Sequence, residues 1–231
     1  MKPLVLVYQM GKVGSSSVYQ SLLDCKSRPD LDIRHQHYIV RKDLAKLQPG
    51  ADIGLKERIQ KGIQDGEIGR GRPKVKIITL TRRPTDRNIS AFFQNHASYQ
   101  FNAGNVAQVF QRQYPHGTPL EWFDRELKAL TGIDVYQTPF PKAQGYQTLA
   151  NDHFEVLIVR MEDLDRCHTA IRNFLGIPGL KIQKRNVSSN KPIYQKRYGQ
   201  SYNELKAKIH QGLSPDYHNR LNTARYTRHF Y

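Results

Sequence analysis

Apolar positions run together early in the chain. Leu4 to Tyr8 is a short, β-branched, uninterrupted block, the pattern of a strand buried on both faces. It stops at "QMGKVGSSS", and Val18, Leu22 and Cys25 then recur at helical spacing behind three serines that offer N-cap hydroxyls. "DIRHQHYIV" (32–40) alternates and predicts a second strand. Residues 52–64 carry Ile53, Ile59 and Ile63 as a helix, which "GEIGRGRP" (66–73) breaks. "VKIITL" (75–80) predicts a second fully buried strand. After it, Ile89, Phe92 and Phe93 mark one face of a helix over 86–96.

Residues 98–119, rich in Asn, Gln, Gly and Pro, read as loop with room for a short helix. "LEWFDRELKAL" (120–130) is amphipathic, and "FEVLIVR" (154–160) is a further buried strand. Leu164, Cys167, His168, Ile171, Phe174 and Leu175 then trace a helical face that Gly176 closes. Beyond it the chain is basic and polar: a loop at 184–192, a helical stretch near 202–210, and the tail "ARYTRHFY", read as a solvated basic end. Strands alternating with amphipathic helices predict an α/β fold: a single P-loop-like domain over 1–231, with a mostly parallel central sheet flanked by helices. The basic loop and helix of 184–231 are expected to complete its site.

Composition changes the picture in one respect. The 231 residues hold 36 Lys and Arg against 20 Asp and Glu, a formal charge of +16, so the surface attracts anions. Nucleotides, nucleic acid, acidic glycans and acidic membranes all qualify. Two cysteines, Cys25 and Cys167, both on apolar helix faces, predict buried free thiols in a reducing compartment. No apolar run at the start is long enough to span a bilayer, so the expectation is a soluble, cytoplasmic protein without a transmembrane segment.

The candidate chemistry lies at two strand ends. Gly11 and Gly14 let the backbone turn tightly, Lys12 adds a point charge, and residues 14–17 open a helix whose N-terminus favours an anion. An ATPase loop places its lysine after the second glycine and needs one Ser or Thr on Mg²⁺. Here the lysine comes before Gly14, which suits an anion better than a metal-bound triphosphate. In "LTRRPTDRNISAFF" (80–93), Arg82 and Arg83 end a strand, and Arg87 and Ser90 lie one helical turn apart on a shared face. Arginine's planar fork matches phosphate.

At these residues the chain resembles the sulfotransferases that use 3′-phosphoadenosine 5′-phosphosulfate (PAPS). "QMGKVGSSS" is similar to their 5′-phosphosulfate loop, "RRPTDRNISAFF" to their 3′-phosphate segment, and "LIVRMEDL" (157–164) to the strand-to-helix junction that follows. Order and spacing fit from residue 4 to about 175. The resemblance extends to soluble bacterial carbohydrate-sulfotransferase-like proteins, including those labelled as capsular-polysaccharide synthesis proteins, whose "NVSSNK"-like loop recurs at 186–191. Arg83 departs from the pattern, standing where that family usually has Asp.

The resemblance implies roles. Lys12 would stabilise charge developing on the departing phosphate, and Gly11, Lys12, Val13, Gly14, Ser15, Ser16 and Ser17 would form the 5′-phosphosulfate cradle. Arg82 and Ser90 would bind the 3′-phosphate, with Arg87 a lesser candidate. Lys184, Arg185, Ser188 and Lys191 would close over the nucleotide. An alcohol acceptor must lose a proton as sulfur is attacked, which calls for a general base. His37 and then His35, alternating on the second strand, are the candidates, and "RHQHYI" resembles a catalytic-histidine segment of some glycan sulfotransferases. Glu57 and Glu162 are weaker ones. Trp122 and Phe123 suit either a sugar platform or the core, and core is the stronger reading.

The leading reading is an enzyme that moves a sulfuryl group from PAPS, leaving 3′-phosphoadenosine 5′-phosphate (PAP), to a hydroxyl of a carbohydrate or polysaccharide, neutral or acidic. It needs no metal and no nucleic acid. The alternatives are a P-loop-type nucleotide kinase or NTPase, a basic nucleic-acid-binding module, and a sulfotransferase-like fold that binds nucleotide without turnover.

Overall fold

The computed structural model describes residues 2–46, 50–183 and 192–231. Five strands form one sheet: β1 (Leu4–Tyr8), β2 (Asp32–Gln36), β3 (Val75–Thr81), β4 (Tyr146–Ala150) and β5 (Phe154–Arg160). Their order is β2-β1-β3-β5-β4, parallel throughout except that β4 runs antiparallel on β5. Every residue of β1 and all but one of β3 are buried, as a sheet covered by helices on both faces requires. The α/β class and the mostly parallel sheet are as the sequence predicts.

From β1 the chain passes to β2 on one side of it, and then to β3 on the other. The carboxyl ends of β1 and β3 therefore flank the point where the winding reverses, which is where open α/β sheets take their ligands. Both loops singled out in the sequence start there.

The helices are α1 (Ser15–Asp24), α2 (Lys42–Ala45), α3 (Leu55–Gln64), α4 (Pro84–Gln94), α5 (Val106–Gln113), α6 (Thr118–Trp122), α7 (Ala129–Thr131), α8 (His168–Leu175), α9 (Ile193–Tyr198), α10 (Tyr202–Gly212), α11 (Pro215–Asn222) and α12 (Arg225–Phe230). A π-helical turn, Phe123–Lys128, joins α6 to α7. Some details differ from expectation. The second strand ends at Gln36 rather than at residue 40, so His37 lies just past it. Helix α1 is capped by Gly14 in the left-handed conformation, with no serine side chain on its end. Cys167 is buried and Cys25 only half so; both thiols are free.

The C-terminal segment differs most. Residues 193–230 form four helices instead of one. The tail is one of them: Tyr226 and Phe230 of α12 are sealed in the main core beside Phe123, and Arg225 lies 4.1 Å over the Tyr136 ring. Aromatic residues at i and i+4 give even a basic helix an apolar stripe. Helices α4, α5, α10 and α11 share a second apolar cluster, with Phe92, Phe93 and Phe110 at its centre. Lys206 and His210 of α10 reach Asp86 of α4 at 2.7 and 3.4 Å. Among the described residues, no helix is long and apolar enough to cross a membrane.

Two expectations follow. The Tyr226 hydroxyl accepts from the Arg82 N–H and donates to the Arg82 carbonyl, each at 3.0 Å. Tyr226→Phe leaves both backbone groups without that partner and should cost about 1–3 kcal/mol in urea unfolding; a loss below a few tenths would show the bonds to be dispensable. His116 is buried between α4, α5 and α11, where it meets Asn88, the Phe110 carbonyl and the Tyr217 hydroxyl. Burial lowers its pKa to about 4. Between that value and the ordinary 6.5, the unfolded chain binds a proton that the folded chain refuses, so stability falls as pH drops. The thermal midpoint should fall across this window, and more gently in His116→Gln; an unchanged slope in that variant would contradict the assignment.

Candidate functional site

The loop after β1 is built on left-handed residues. Gly11, Lys12 and Gly14 have φ of 74°, 62° and 85°. Glycine adopts this region freely, whereas lysine does so at a cost of about 1–3 kcal/mol that its surroundings must offset. They do so through hydrogen bonds to its carbonyls. Arg87 Nη2 donates to the Met10 carbonyl at 2.9 Å, Arg87 Nε to that of Gly11 at 3.3 Å, and Arg82 Nη1 to that of Lys12 at 3.0 Å. In a planar peptide the N–H lies opposite the C=O. The N–H groups of Lys12 and Val13 therefore face away from the arginines. The half-buried Lys12 side chain leaves the same turn.

The two strand-end loops thus form one unit. Arg87 is buried and also donates to Asn88 Oδ1 and the Tyr114 hydroxyl, both at 3.0 Å, so it is a brace under the loop. Arg82 is half-buried at the edge, and its backbone is held by Tyr226. Arg83 points outward: its N–H donates to Glu162 Oε1 at 3.0 Å and its guanidinium lies 5.5 Å from the Tyr231 ring. Ser90 is buried on α4, Ser15 and Ser17 are buried at the start of α1, and Ser16 is half-buried between them.

Beside the loop stand the two histidines. His35 lies on β2 next to its last residue, Gln36, and the chain then turns so that His37 meets the same neighbour, Gln9. Gln9 Nε2 lies 3.1 Å from His35 Nε2 and 3.2 Å from His37 Nδ1, and the Ser15 hydroxyl lies 3.0 Å from His35 Nε2. The rings meet edge to face at 5.1 Å. The other edge of His37 faces Gly11, where a Cβ would come within 3.3 Å of Cδ2 and Nε2. That close approach and the positive φ both favour glycine. Burial lowers both imidazoles to about 4, His37 being further opposed by His35, so both are neutral near pH 7.

The segment that carries His37 is held from the π-helical turn. Trp122 Nε1 donates to the His37 carbonyl at 2.8 Å. The buried Glu126 carboxylate accepts from the N–H groups of Ile39, Val40 and Arg41 at 2.9, 3.0 and 2.9 Å, and from the Tyr8 hydroxyl. Burial, and then this carboxylate, push Tyr8 well above its ordinary pKa. Trp122 is therefore core, as the stronger reading had it, and no exposed sugar platform. Of the weaker base candidates, Glu57 pairs with Lys42 on the surface, and Glu162 holds the Arg83 N–H and the Tyr231 hydroxyl. Asp163 is held by Arg160 and Arg166. Lys184, Arg185, Ser188 and Lys191 lie outside the described residues. The chain just before them is fixed to α1 by the Gln183 N–H on Ser21 Oγ at 2.9 Å.

Sequence reasoning passed over Gln9, Glu126, Tyr8 and Tyr226. The residues before a glycine turn do carry a signal, since a polar Gln after a fully apolar strand must find partners once buried. Glu126 offered none: on an amphipathic helix it reads as solvated.

The family model NKWYS, described as a putative capsular polysaccharide synthesis protein, matches residues 102–231. The match begins after both strand-end loops and includes Trp122, Glu126 and Tyr226. No curated protein matches the chain. A solved sulfotransferase from Alicyclobacillus acidocaldarius is similar over 91% of this chain and 96% of its own, at 13% identity and a TM-score of 0.36. With more than half of its length matched by that family model, the chain belongs to the capsular polysaccharide synthesis protein family.

Proposed function

We propose that the protein transfers a sulfuryl group from PAPS to a hydroxyl of a carbohydrate, a polysaccharide in keeping with its family's description. One observation carries the reading: Arg82, from the loop after β3, donates to the carbonyl of Lys12, in the loop after β1. One ligand with anionic groups at two ends can therefore touch both loops.

The residues present fit such a ligand. Backbone N–H groups of the left-handed turn and of the α1 N-terminus, with Ser15 to Ser17 beside them, form an anion cradle. It receives the 5′-phosphosulfate. Arg82 uses one of its five guanidinium donors on Lys12, and the rest of the fork, with Ser90, serves the 3′-phosphate. Arg87 has a different task, holding the cradle's carbonyls from below.

In the transfer, the acceptor oxygen forms a bond to sulfur as the bond between sulfur and the phosphate oxygen breaks, and that oxygen keeps the electron pair. Lys12 stabilises the charge that gathers there, a contribution realised only as the reaction proceeds. His37, neutral and beside Gly11, takes the acceptor's proton. His35 is second to it, since its Nε2 already meets Ser15 and Gln9. A kinase or NTPase would need its lysine placed after Gly14, and the chain has serine there.

Calorimetry separates these readings. PAP should bind without added metal and much more tightly than ADP or ATP. Lys12→Ala and Arg82→Ala should each weaken PAP by more than tenfold, about 1.4 kcal/mol or more. Equal affinity for ADP, or PAP binding that neither variant weakens, would refute the assignment.

A further inference from the structure

Four side chains form a line from the anion cradle to the proposed base: Ser15, His35, Gln9 and His37. Ser15 Oγ meets His35 Nε2 at 3.0 Å, and Gln9 Nε2 meets His35 Nε2 at 3.1 Å and His37 Nδ1 at 3.2 Å. Gln9 is fully buried, and its Oε1 has no hydrogen-bond partner. As arranged, the carboxamide donates to both rings. His37 Nδ1 is then an acceptor, and the proton of the neutral ring sits on Nε2, the edge that faces Gly11. A ring in that state has no lone pair on that edge and cannot take a proton there.

We propose that filling the anion cradle reverses this line and arms His37. The proposal rests on the function proposed above. A serine hydroxyl has one proton to donate. When Ser15 gives it to an anion oxygen, its Oγ can only accept from His35, which places the His35 proton on Nε2. That N–H now opposes the Gln9 NH₂. The carboxamide turns over, a motion that breaks no bond on the far side because Oε1 has none there. Oε1 then shares the His35 Nε2–H with Ser15 Oγ and accepts from His37 Nδ1–H, leaving the lone pair of His37 Nε2 toward Gly11. Each imidazole keeps one proton throughout; each proton changes nitrogen by exchange with water. Gln9 is thus a positioning residue, acting through the protonation pattern of His37.

Nitrogen-15 NMR of the imidazoles distinguishes protonated from unprotonated ring nitrogens without recourse to activity. Without ligand, His37 should carry its proton on Nε2; saturation with PAP should move it to Nδ1, and that of His35 to Nε2. In Ser15→Ala, PAP should bind more weakly, and at PAP concentrations that saturate the variant by calorimetry both rings should keep their pattern. In Gln9→Met, His35 should respond and His37 should not. PAP that binds wild-type protein without moving the His37 proton overturns the relay and leaves the nucleotide reading intact, as does a His37 already unprotonated at Nε2 without ligand. PAP that fails to bind overturns both.

Discussion

A backbone turn that presents N–H groups to an anion must point its carbonyls the other way, into the protein. Those carbonyls need donors, because buried unpaired carbonyls cost free energy comparable to a lost hydrogen bond. Here the carbonyls of Met10, Gly11 and Lys12 receive Arg87 and Arg82. Everything else about the site depends on this arrangement. It offsets the left-handed Lys12, turns the Lys12 and Val13 N–H groups away from the arginines, and makes the loops after β1 and β3 a single body at the point where the sheet's winding reverses.

The supports of that body come from the C-terminal part of the chain. Tyr226 of the last helix grips the Arg82 backbone, while Trp122 and Glu126 grip the segment after β2 that carries His37. All three lie in the portion that the family match covers, whereas both strand-end loops lie before it. The N-terminal half thus supplies the groups that would touch a ligand, and the C-terminal half holds them in place. Glu126 illustrates the economy of this. A buried carboxylate is costly unless donors surround it. Three consecutive N–H groups and a tyrosine hydroxyl do so, and in the same act they order Ile39 to Arg41.

The sheet was legible in the sequence because its buried strands are mostly apolar, with Lys76, Thr79 and Glu155 as isolated polar positions. "LVLVY" and "FEVLIVR" occupy the boundaries their patterns predict, and "VKIITL" extends by a single threonine. The edge strand Tyr146–Ala150 was not legible: half exposed, its "YQTLA" lacks both a buried run and a clean alternation. The C-terminal helices were hidden by charge, since Lys and Arg masked the spaced aromatics that bury Tyr226 and Phe230. In the site, glycines, lysine and arginines stood out because few other residues do their work. Arg87 was read from its spacing as a lesser phosphate contact, and in the structure its guanidinium meets the Met10 and Gly11 carbonyls: spacing shows which face of a helix a residue shares, not what that face meets. The part of Gln9 depends on contacts between β1 and β2, and no local pattern reports those.

The central claim is that one molecule spans the two joined loops. A crystal structure with PAP tests it directly. The account predicts a single PAP with its 5′-phosphate on the N–H groups of Gly14 to Ser16 and its 3′-phosphate against Arg82 and Ser90. A PAP bound elsewhere, or one whose two phosphates both lie on the same loop, would contradict it.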